Sequence, residues 1–268
     1  KTSPKVTVKY STVNPTNQNV IVTITSDKEV QAVSGWTLDS SKKILTKEYT
    51  SNKEEEITIK DLLGNTTTKA SIKVANIDKT KPEVKVSYSK ITATNENVTV
   101  TITANEEIKA VSGWTLGSDK KTLTKTYSEN KSETVTITDL AGNTTTASIV
   151  VNNIDKIVPK VTIKYSTVNP TNQNVVVTIT SDKEVQVVSG WTLGSDKKTL
   201  TKTYSENKSE TVTITDLAGN KTVAQIAINN IDKTAPKATV QYSTVNPTNE
   251  NVTVTITANE EIKAVSGW

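Results

Sequence analysis

The sequence contains no cysteine, histidine, methionine, phenylalanine or arginine. Without cysteine the chain has no disulfide framework and no thiolate metal site. Without histidine it has no imidazole base, no imidazole metal ligand and no side chain that ordinarily titrates near neutral pH. Any enzymatic chemistry would therefore have to use carboxylates or lysines.

Charge is present in both signs and is evenly spread. The chain has 32 lysines against 28 acidic residues, for a formal charge of +4. Nucleic-acid binding is typical of clustered basic residues with stacking aromatics, and neither feature occurs here. No apolar run has the length of a membrane span, which is about 18 residues or more. We therefore predict no nucleic-acid partner and no membrane insertion in this segment.

Tryptophan marks a regular repeat. Each of the four tryptophans follows Val-Ser-Gly, and they lie 78, 77 and 77 residues apart at Trp36, Trp114, Trp191 and Trp268. A fixed period of this length indicates tandem structural units. We predict three complete repeats and one partial repeat that contains the first strands only, at residues 1–78, 79–155, 156–232 and 233–268. The chain is thus expected to be an excerpt of a longer protein.

Each repeat has the pattern of short β-strands. In repeat 2, Val84, Val86 and Tyr88 alternate with polar residues, and Val98–Thr103 alternates apolar residues with threonine. Period-two alternation with turn residues at regular spacing is typical of an antiparallel β-sandwich. We expect about seven strands per repeat, including one at 108–111. Trp36, Trp114 and Trp191 are predicted to be the packing centres, because tryptophan is the largest apolar side chain present.

Two motifs recur along the chain. One is Asn-Ile-Asp-Lys-Thr-x-Pro at 76–82 and 230–236, and the other is Asp-Leu-Ala-Gly-Asn at 139–143 and 216–220. Together they resemble the bacterial immunoglobulin-like repeats found in tandem on large surface proteins and adhesins. The resemblance implies tandem immunoglobulin-like β-sandwiches in a rod-like array that serves as an extracellular stalk. Abundant lysine, asparagine and threonine without arginine is also typical of a low-GC Gram-positive source.

Acidic residues provide the candidate metal sites. In an immunoglobulin-like topology, two turns of each repeat face the linker from the preceding one. This predicts two groups at the joints: Asp78, Glu106, Glu107 and Asp139, and then Asp155, Asp182, Glu184 and Asp216. Clustered carboxylates suit Ca²⁺, which takes about six to eight oxygen ligands. The alternative is that Asp139 only forms a turn and Asp78 is a solvated linker residue. No other cofactor is expected.

In each complete repeat, one lysine lies between a leucine and a tyrosine on a predicted strand and could face inward: Lys47, Lys125 or Lys202. Some Gram-positive surface domains join such a lysine to Asn or Asp in an isopeptide bond. The alternative is a solvent-facing lysine after a shift of register.

We expect a structural role as stalk, spacer or fibre segment of a cell-surface or adhesin protein, without enzymatic activity. The acids lie in turns that recur along the chain, whereas a glycosidase needs two acids across one cleft. One alternative is that each repeat binds a glycan or host protein. Another is a spacer in a secreted carbohydrate-active enzyme. The expected partners are neighbouring repeats, together with neighbouring chains if a fibre forms. Residues 233–268 lack the strands that should cover Trp268, so we expect disorder there, strands from a neighbouring chain, or a continuing fibre.

Overall fold

The computed structural model describes residues 2–64 and 66–268, and all regular structure in this part of the chain is β-strand. Its contacts divide the chain into two compact units, Lys1–Asp155 and Lys156–Trp268. Unit 1 contains repeats 1 and 2, and unit 2 contains repeat 3 and the partial repeat 4. Within residues 2–64 and 66–268, no helix has the length and hydrophobicity needed to cross a membrane.

The strands recur in the same order in each complete repeat. Repeat 1 contains β1 (Val6–Tyr10), β2 (Val20–Ser26), β3 (Thr37–Leu38), β4 (Ile44–Tyr49), β5 (Lys53–Lys60) and β6 (Thr67–Val74). Repeat 2 contains β7 (Val84–Tyr88), β8 (Val98–Ala104), β9 (Thr115–Leu116), β10 (Thr122–Tyr127), β11 (Lys131–Thr138) and β12 (Thr144–Val151). Repeat 3 contains β13 (Val161–Tyr165), β14 (Val175–Ser181), β15 (Thr192–Leu193), β16 (Thr199–Tyr204), β17 (Lys208–Thr215) and β18 (Lys221–Ile228). Repeat 4 contributes β19 (Ala238–Tyr242) and β20 (Val254–Ala258).

Two antiparallel sheets form each complete repeat. In repeat 2 the first has the order β7-β8-β10-β9 and the second is the hairpin β11-β12. Val98, Val100 and Ile102 are fully buried, while the threonines between them lie on the outer face. The structure is therefore all-β, and the period-two pattern correctly predicted which face of β8 is buried.

Both sheets of repeat 2 contribute to one hydrophobic core. Ile102 and Leu123 come from the first sheet, and Ile137 and Ile149 come from the hairpin; all four are fully buried. The hydroxyl of Tyr88 also links the sheets, because it accepts a hydrogen bond of 3.2 Å from the backbone N–H of Val150. Equivalent clusters occupy repeats 1 and 3.

The Asn-Ile-Asp motif closes each repeat through asparagine side chains. Asn130 pairs with Ile154 on both sides, since its Oδ1 accepts from Ile154 N at 2.8 Å and its Nδ2 donates to Ile154 O at 2.9 Å. Asn153 Nδ2 donates to the backbone oxygens of Lys90 and Thr92. Side-chain amides thereby satisfy backbone groups that lie beyond the end of the sheet.

The predicted strand at 108–111 is wrong in extent. Ile108 forms only an isolated bridge with Asp139, so the described part of each complete repeat has six strands rather than about seven. Trp114 N donates to Val111 O, and Gly113 has a φ of 77° in the left-handed region, where a side chain is strained. This turn bends the chain before pairing can extend, and pairing resumes in the short strand β9.

Repeat 4 is a hairpin with its apolar residues exposed. Strands β19 and β20 pair in the register of β7 and β8, so this part is ordered, and the expectation of disorder does not apply to the hairpin. Val240 is 50% exposed and Trp268 is 69% exposed. Whether neighbouring strands cover this face stays a prediction.

Candidate functional site

Three of the four acids predicted at the first joint lie together in unit 1. Carboxylate oxygens of Asp78, Glu106 and Asp139 are all within 4.8 Å of one another. Asp78 comes from the linker after repeat 1, Glu106 from the turn after β8, and Asp139 from the turn between β11 and β12. The fold therefore gathers acids that are far apart in the sequence.

Asp139 is fixed by the turn that it begins. It is only 1% exposed. Its Oδ1 accepts from the backbone N–H groups of Gly142 and Asn143 at 2.6 and 2.8 Å, and its Oδ2 accepts from Asn143 Nδ2 at 2.8 Å. Gly142 has a φ of 100°, which suits glycine. Asp139 is thus a turn former, as the alternative held, and it also belongs to the acidic group.

The same turn is hydrogen-bonded to repeat 1. Asn143 Nδ2 donates to the backbone oxygen of Asp78 at 2.9 Å, and Asn17 N donates to Ala141 O at 3.0 Å. Asp78 N in turn donates to Thr16 O at 2.9 Å. The linker between repeats 1 and 2 is therefore held by repeat 1 on one side and by the turn of repeat 2 on the other.

The surroundings of Glu106 disfavour its charged form. Burial raises the pKa of Glu106, and the neighbouring carboxylates of Asp139 and Asp78 raise it further. Lys121 acts in the opposite direction. Three carboxylates in close contact are a suitable donor set for a hard cation such as Ca²⁺, with backbone oxygens or water supplying the remaining ligands. The residues of this group therefore fit the metal that was predicted.

Glu107, the fourth predicted member, is not part of the group. Its Oε2 lies 3.6 Å from Lys120 Nζ, in an exposed ion pair. Glu107 therefore faces Lys120 and not the linker.

The acids of the second predicted group have other partners. Asp155 ends unit 1, where its backbone N–H donates to Thr94 O. In unit 2, Asp182 Oδ1 accepts from Lys160 N at 2.8 Å, and Glu184 Oε2 lies 3.8 Å from Lys197 Nζ. Asp216 is 2% exposed; it accepts from Asn220 and lies near Lys183.

A partly buried ion pair at the edge of the core recurs in every complete repeat. The inward lysines predicted in the middle strand do face inward, and each meets a glutamate from the hairpin sheet. The Nζ–Oε1 distances are 2.6, 2.6 and 2.7 Å in the pairs Lys47–Glu55, Lys125–Glu133 and Lys202–Glu210. The partner is thus a glutamate in an ion pair, not the Asn or Asp that an isopeptide bond uses. The pair joins the two sheets across the edge of the core.

Aromatic rings surround this ion pair. In repeat 2, Lys125 Nζ lies 5.6 Å from the ring centroid of Trp114 and 5.1 Å from that of Tyr127. The Tyr127 hydroxyl donates to Glu133 Oε1 at 2.6 Å, and the two rings meet edge to face. Burial, followed by the Glu133 contact, raises the pKa of Tyr127. Cation–π attraction adds to the ion pair here.

The tryptophans border the core. Trp36 and Trp191 are 8% and 7% exposed and belong to the hydrophobic clusters of repeats 1 and 3, whereas Trp114 is partly buried. The buried indole Nε1 of Trp36 has no hydrogen-bond partner among the residues described. The fully buried centre of each repeat consists of isoleucine, leucine and valine instead.

The glutamate of this inter-sheet ion pair was not predicted from the sequence. Glu133, Val135 and Ile137 share the inward phase of β11, so a charged residue occupies an inward position. A charged residue at an inward strand position could have indicated the ion pair, since a buried carboxylate needs a partner.

Comparisons with known proteins include weak structural likenesses, of which two are given. One is to a tetra-tandem repeat in the extending region of a large adhesion protein, at 19% identity and a TM-score of 0.31, covering 96% of this chain and 88% of that one. The other is to a crystal structure with xylogluco-oligosaccharide, at 12% identity and a TM-score of 0.25, covering 84% of this chain and 59% of that one. At these TM-scores neither likeness bears on function. No family model and no curated protein matches the chain.

The inter-sheet ion pairs predict acid sensitivity. Lys47, followed by Lys53 and Tyr49, lowers the pKa of Glu55 from its ordinary 4.5 to about 2. Contacts with Lys125 and Lys202 likewise lower the pKa of Glu133 and Glu210. A carboxyl group whose pKa is lower in the folded state adds stability above its unfolded pKa and loses it as pH falls through the folded value. Urea unfolding midpoints should therefore fall between about pH 4.5 and 2.

The variant Glu55→Gln/Glu133→Gln/Glu210→Gln isolates this effect. It should unfold at lower urea than the wild type at pH 7 and depend less on pH below 4.5. The matched control is Glu54→Gln/Glu129→Gln/Glu206→Gln, which changes exposed neighbours. If both triple variants have the same pH profile, the inter-sheet pairs do not cause the acid sensitivity.

The acidic group of unit 1 predicts stabilisation by Ca²⁺. A cation that binds only the folded state raises the melting temperature by mass action, so chelation with EDTA should lower it. Glu106→Gln should weaken this response, because it removes one of the three carboxylates. Glu107→Gln, outside the group, should leave it intact. Melting that is unchanged by EDTA and Ca²⁺ would rule out the site.

Proposed function

We propose that the chain is a stalk or spacer segment of a cell-surface or adhesin protein, built from immunoglobulin-like β-sandwich repeats in a rod-like array. One observation carries this proposal: the junction between repeats 1 and 2 is hydrogen-bonded on both sides of the linker. A spacer needs repeats that hold a defined orientation, and a linker fixed in this way favours that over a flexible tether.

The linker contacts of repeat 1 are extensive for so short a segment. Thr16 and Ile77 form a parallel bridge, and Thr80 N donates to Asp78 Oδ1 at 2.9 Å. Lys79 Nζ donates to Asn19 Oδ1 at 2.9 Å. Pro82 then restricts the backbone before β7 begins. These contacts restrain the linker, which supports a stiff junction.

The burial of the tryptophans argues against direct ligand binding by each repeat. A sugar-stacking platform needs an exposed aromatic face, whereas Trp36 and Trp191 are buried and Trp114 is partly buried. Their rings already contact a lysine and a tyrosine. Binding of a glycan or host protein by the repeats is therefore the less favoured alternative. A spacer role in a secreted carbohydrate-active enzyme uses the same junction and differs only in what the spacer carries.

Further parts of the proposal follow from the stalk role. The segment is extracellular, at the cell surface or secreted, and is not itself an enzyme. Its partners are neighbouring repeats and, in a fibre, neighbouring chains. The turn hydrogen bonds of Asp139 and Asp216 support the non-enzymatic role, because they give each of these acids a structural function in its own repeat.

Solution scattering and binding together test the stalk proposal. Small-angle X-ray scattering of residues 1–268 should give the profile of an elongated particle, and a glycan array should give no signal above background. The same array should be probed with multimers of the chain, because binding by individual repeats strengthens with copy number. A compact scattering profile, or a glycan signal that grows with copy number, would contradict a spacer role.

A further inference from the structure

One position near the N-terminal end of each repeat alternates between lysine and glutamate. It lies in the turn after the second strand and is occupied in chain order by Lys28, Glu106, Lys183 and Glu260. The charge at equivalent places thus changes sign from one repeat to the next, while the turn aspartate opposite is kept as Asp61, Asp139 and Asp216.

In repeat 3 the ammonium group of this lysine lies between a buried carboxylate and a backbone oxygen. Lys183 Nζ lies 3.6 Å from Oδ2 of the buried Asp216 and donates to the backbone oxygen of Ile157 at 2.6 Å. A carboxylate oxygen and a backbone oxygen are the kinds of ligand that Ca²⁺ would use. The side chain of Lys183 is 24% exposed, so its charge is only partly screened by solvent.

Repeat 1 shows the same kind of contact between the lysine and the incoming chain. Lys28 Nζ donates to the backbone oxygen of Thr2 at 2.6 Å and to its Oγ1 at 2.5 Å. Thr2 and Ile157 each lie two residues before the proline that precedes the first strand. Two separate repeats therefore use the ammonium group to hold the incoming chain.

The glutamates leave the repeat end without this positive charge. Glu106 belongs to the group of three carboxylates described above. Glu260, at the same position of repeat 4, has its Oε1 buried with no hydrogen-bond partner within the described part of the chain. A buried carboxylate oxygen without a partner is costly.

We propose that Lys183 is a built-in cation that makes the end of repeat 3 independent of metal, so that Ca²⁺ is not bound by Asp182, Glu184 and Asp216. An ammonium group at this place repels a second cation and already neutralises the buried carboxylate. The residue at this position determines, repeat by repeat, whether the repeat end carries its own counter-charge. This claim goes beyond the stalk role and stands or falls separately from it.

Charge swaps in the full chain test the proposal. Hydrogen–deuterium exchange, read by mass spectrometry in EDTA, reports the local stability of each hairpin separately. Lys183→Glu should speed exchange of the β17–β18 amides by roughly tenfold, and Glu106→Lys should slow exchange in β11–β12. Lys183→Met keeps the aliphatic stem and should have a smaller effect in the same direction as Lys183→Glu.

Matched controls make the same charge changes at exposed sites. Lys164→Glu on the outer face of β13 and Glu129→Lys in the loop before β11 should leave both hairpins unchanged. Adding Ca²⁺ should leave β17–β18 exchange of the wild type unchanged. The proposal is overturned if Lys183→Glu behaves like Lys164→Glu. It is equally overturned if Ca²⁺ slows β17–β18 exchange in the wild type and Asp216→Asn abolishes that response.

Discussion

A buried carboxylate at the tip of the last hairpin organises the ends of repeats 2 and 3. In repeat 2, Asp139 orders its own turn through backbone hydrogen bonds, and this places Asn143 where its amide reaches the linker at Asp78. A buried charge is tolerated only with hydrogen bonds and a counter-charge nearby. The shape of the hairpin, the position of the linker and the charge requirement of the repeat end therefore follow from one residue. Asp216 has the same place in repeat 3, with Lys183 beside it.

A second constraint acts at the edge of the core. Each complete repeat of the described chain is small, and its two sheets meet over a core of valine, isoleucine and leucine. The Lys125–Glu133 pair adds a directional tie between those sheets, and the rings of Trp114 and Tyr127 pack against its lysine. Partly buried pairs are less screened than exposed ones, so this tie is stronger than the surface pairs nearby. The tryptophan ring thus contacts the lysine of an ion pair in addition to filling space in the core.

Local pattern made much of this structure predictable. Alternation in Val98–Thr103 predicted a strand and its buried face, and the spacing of the tryptophans agrees with the recurrence of the strand order. Topological reasoning brought Asp78, Glu106 and Asp139 together correctly. It failed for Glu107, whose carboxylate pairs with Lys120 instead. It also failed for the strand at 108–111, where only Ile108 forms a bridge before the turn at Gly113. The partners of Lys125 and Lys183 were not predictable from period alone, since each contact depends on which segments face each other across the fold. For Lys125, the one local indication of its partner was that Glu133 occupies an inward position of β11.

The central claim is that repeats 1 and 2 share one stiff junction. The chain has no cysteine, so Thr58→Cys and Thr136→Cys, both at exposed strand positions, give a single pair of spin labels in repeats 1 and 2. Pulsed electron–electron double resonance should then give one narrow distribution of the distance between the two labels. Asn143→Ala, which removes the hydrogen bond to Asp78, should broaden it, while Glu129→Ala should not. A broad distribution in the labelled chain without further substitution would contradict the account.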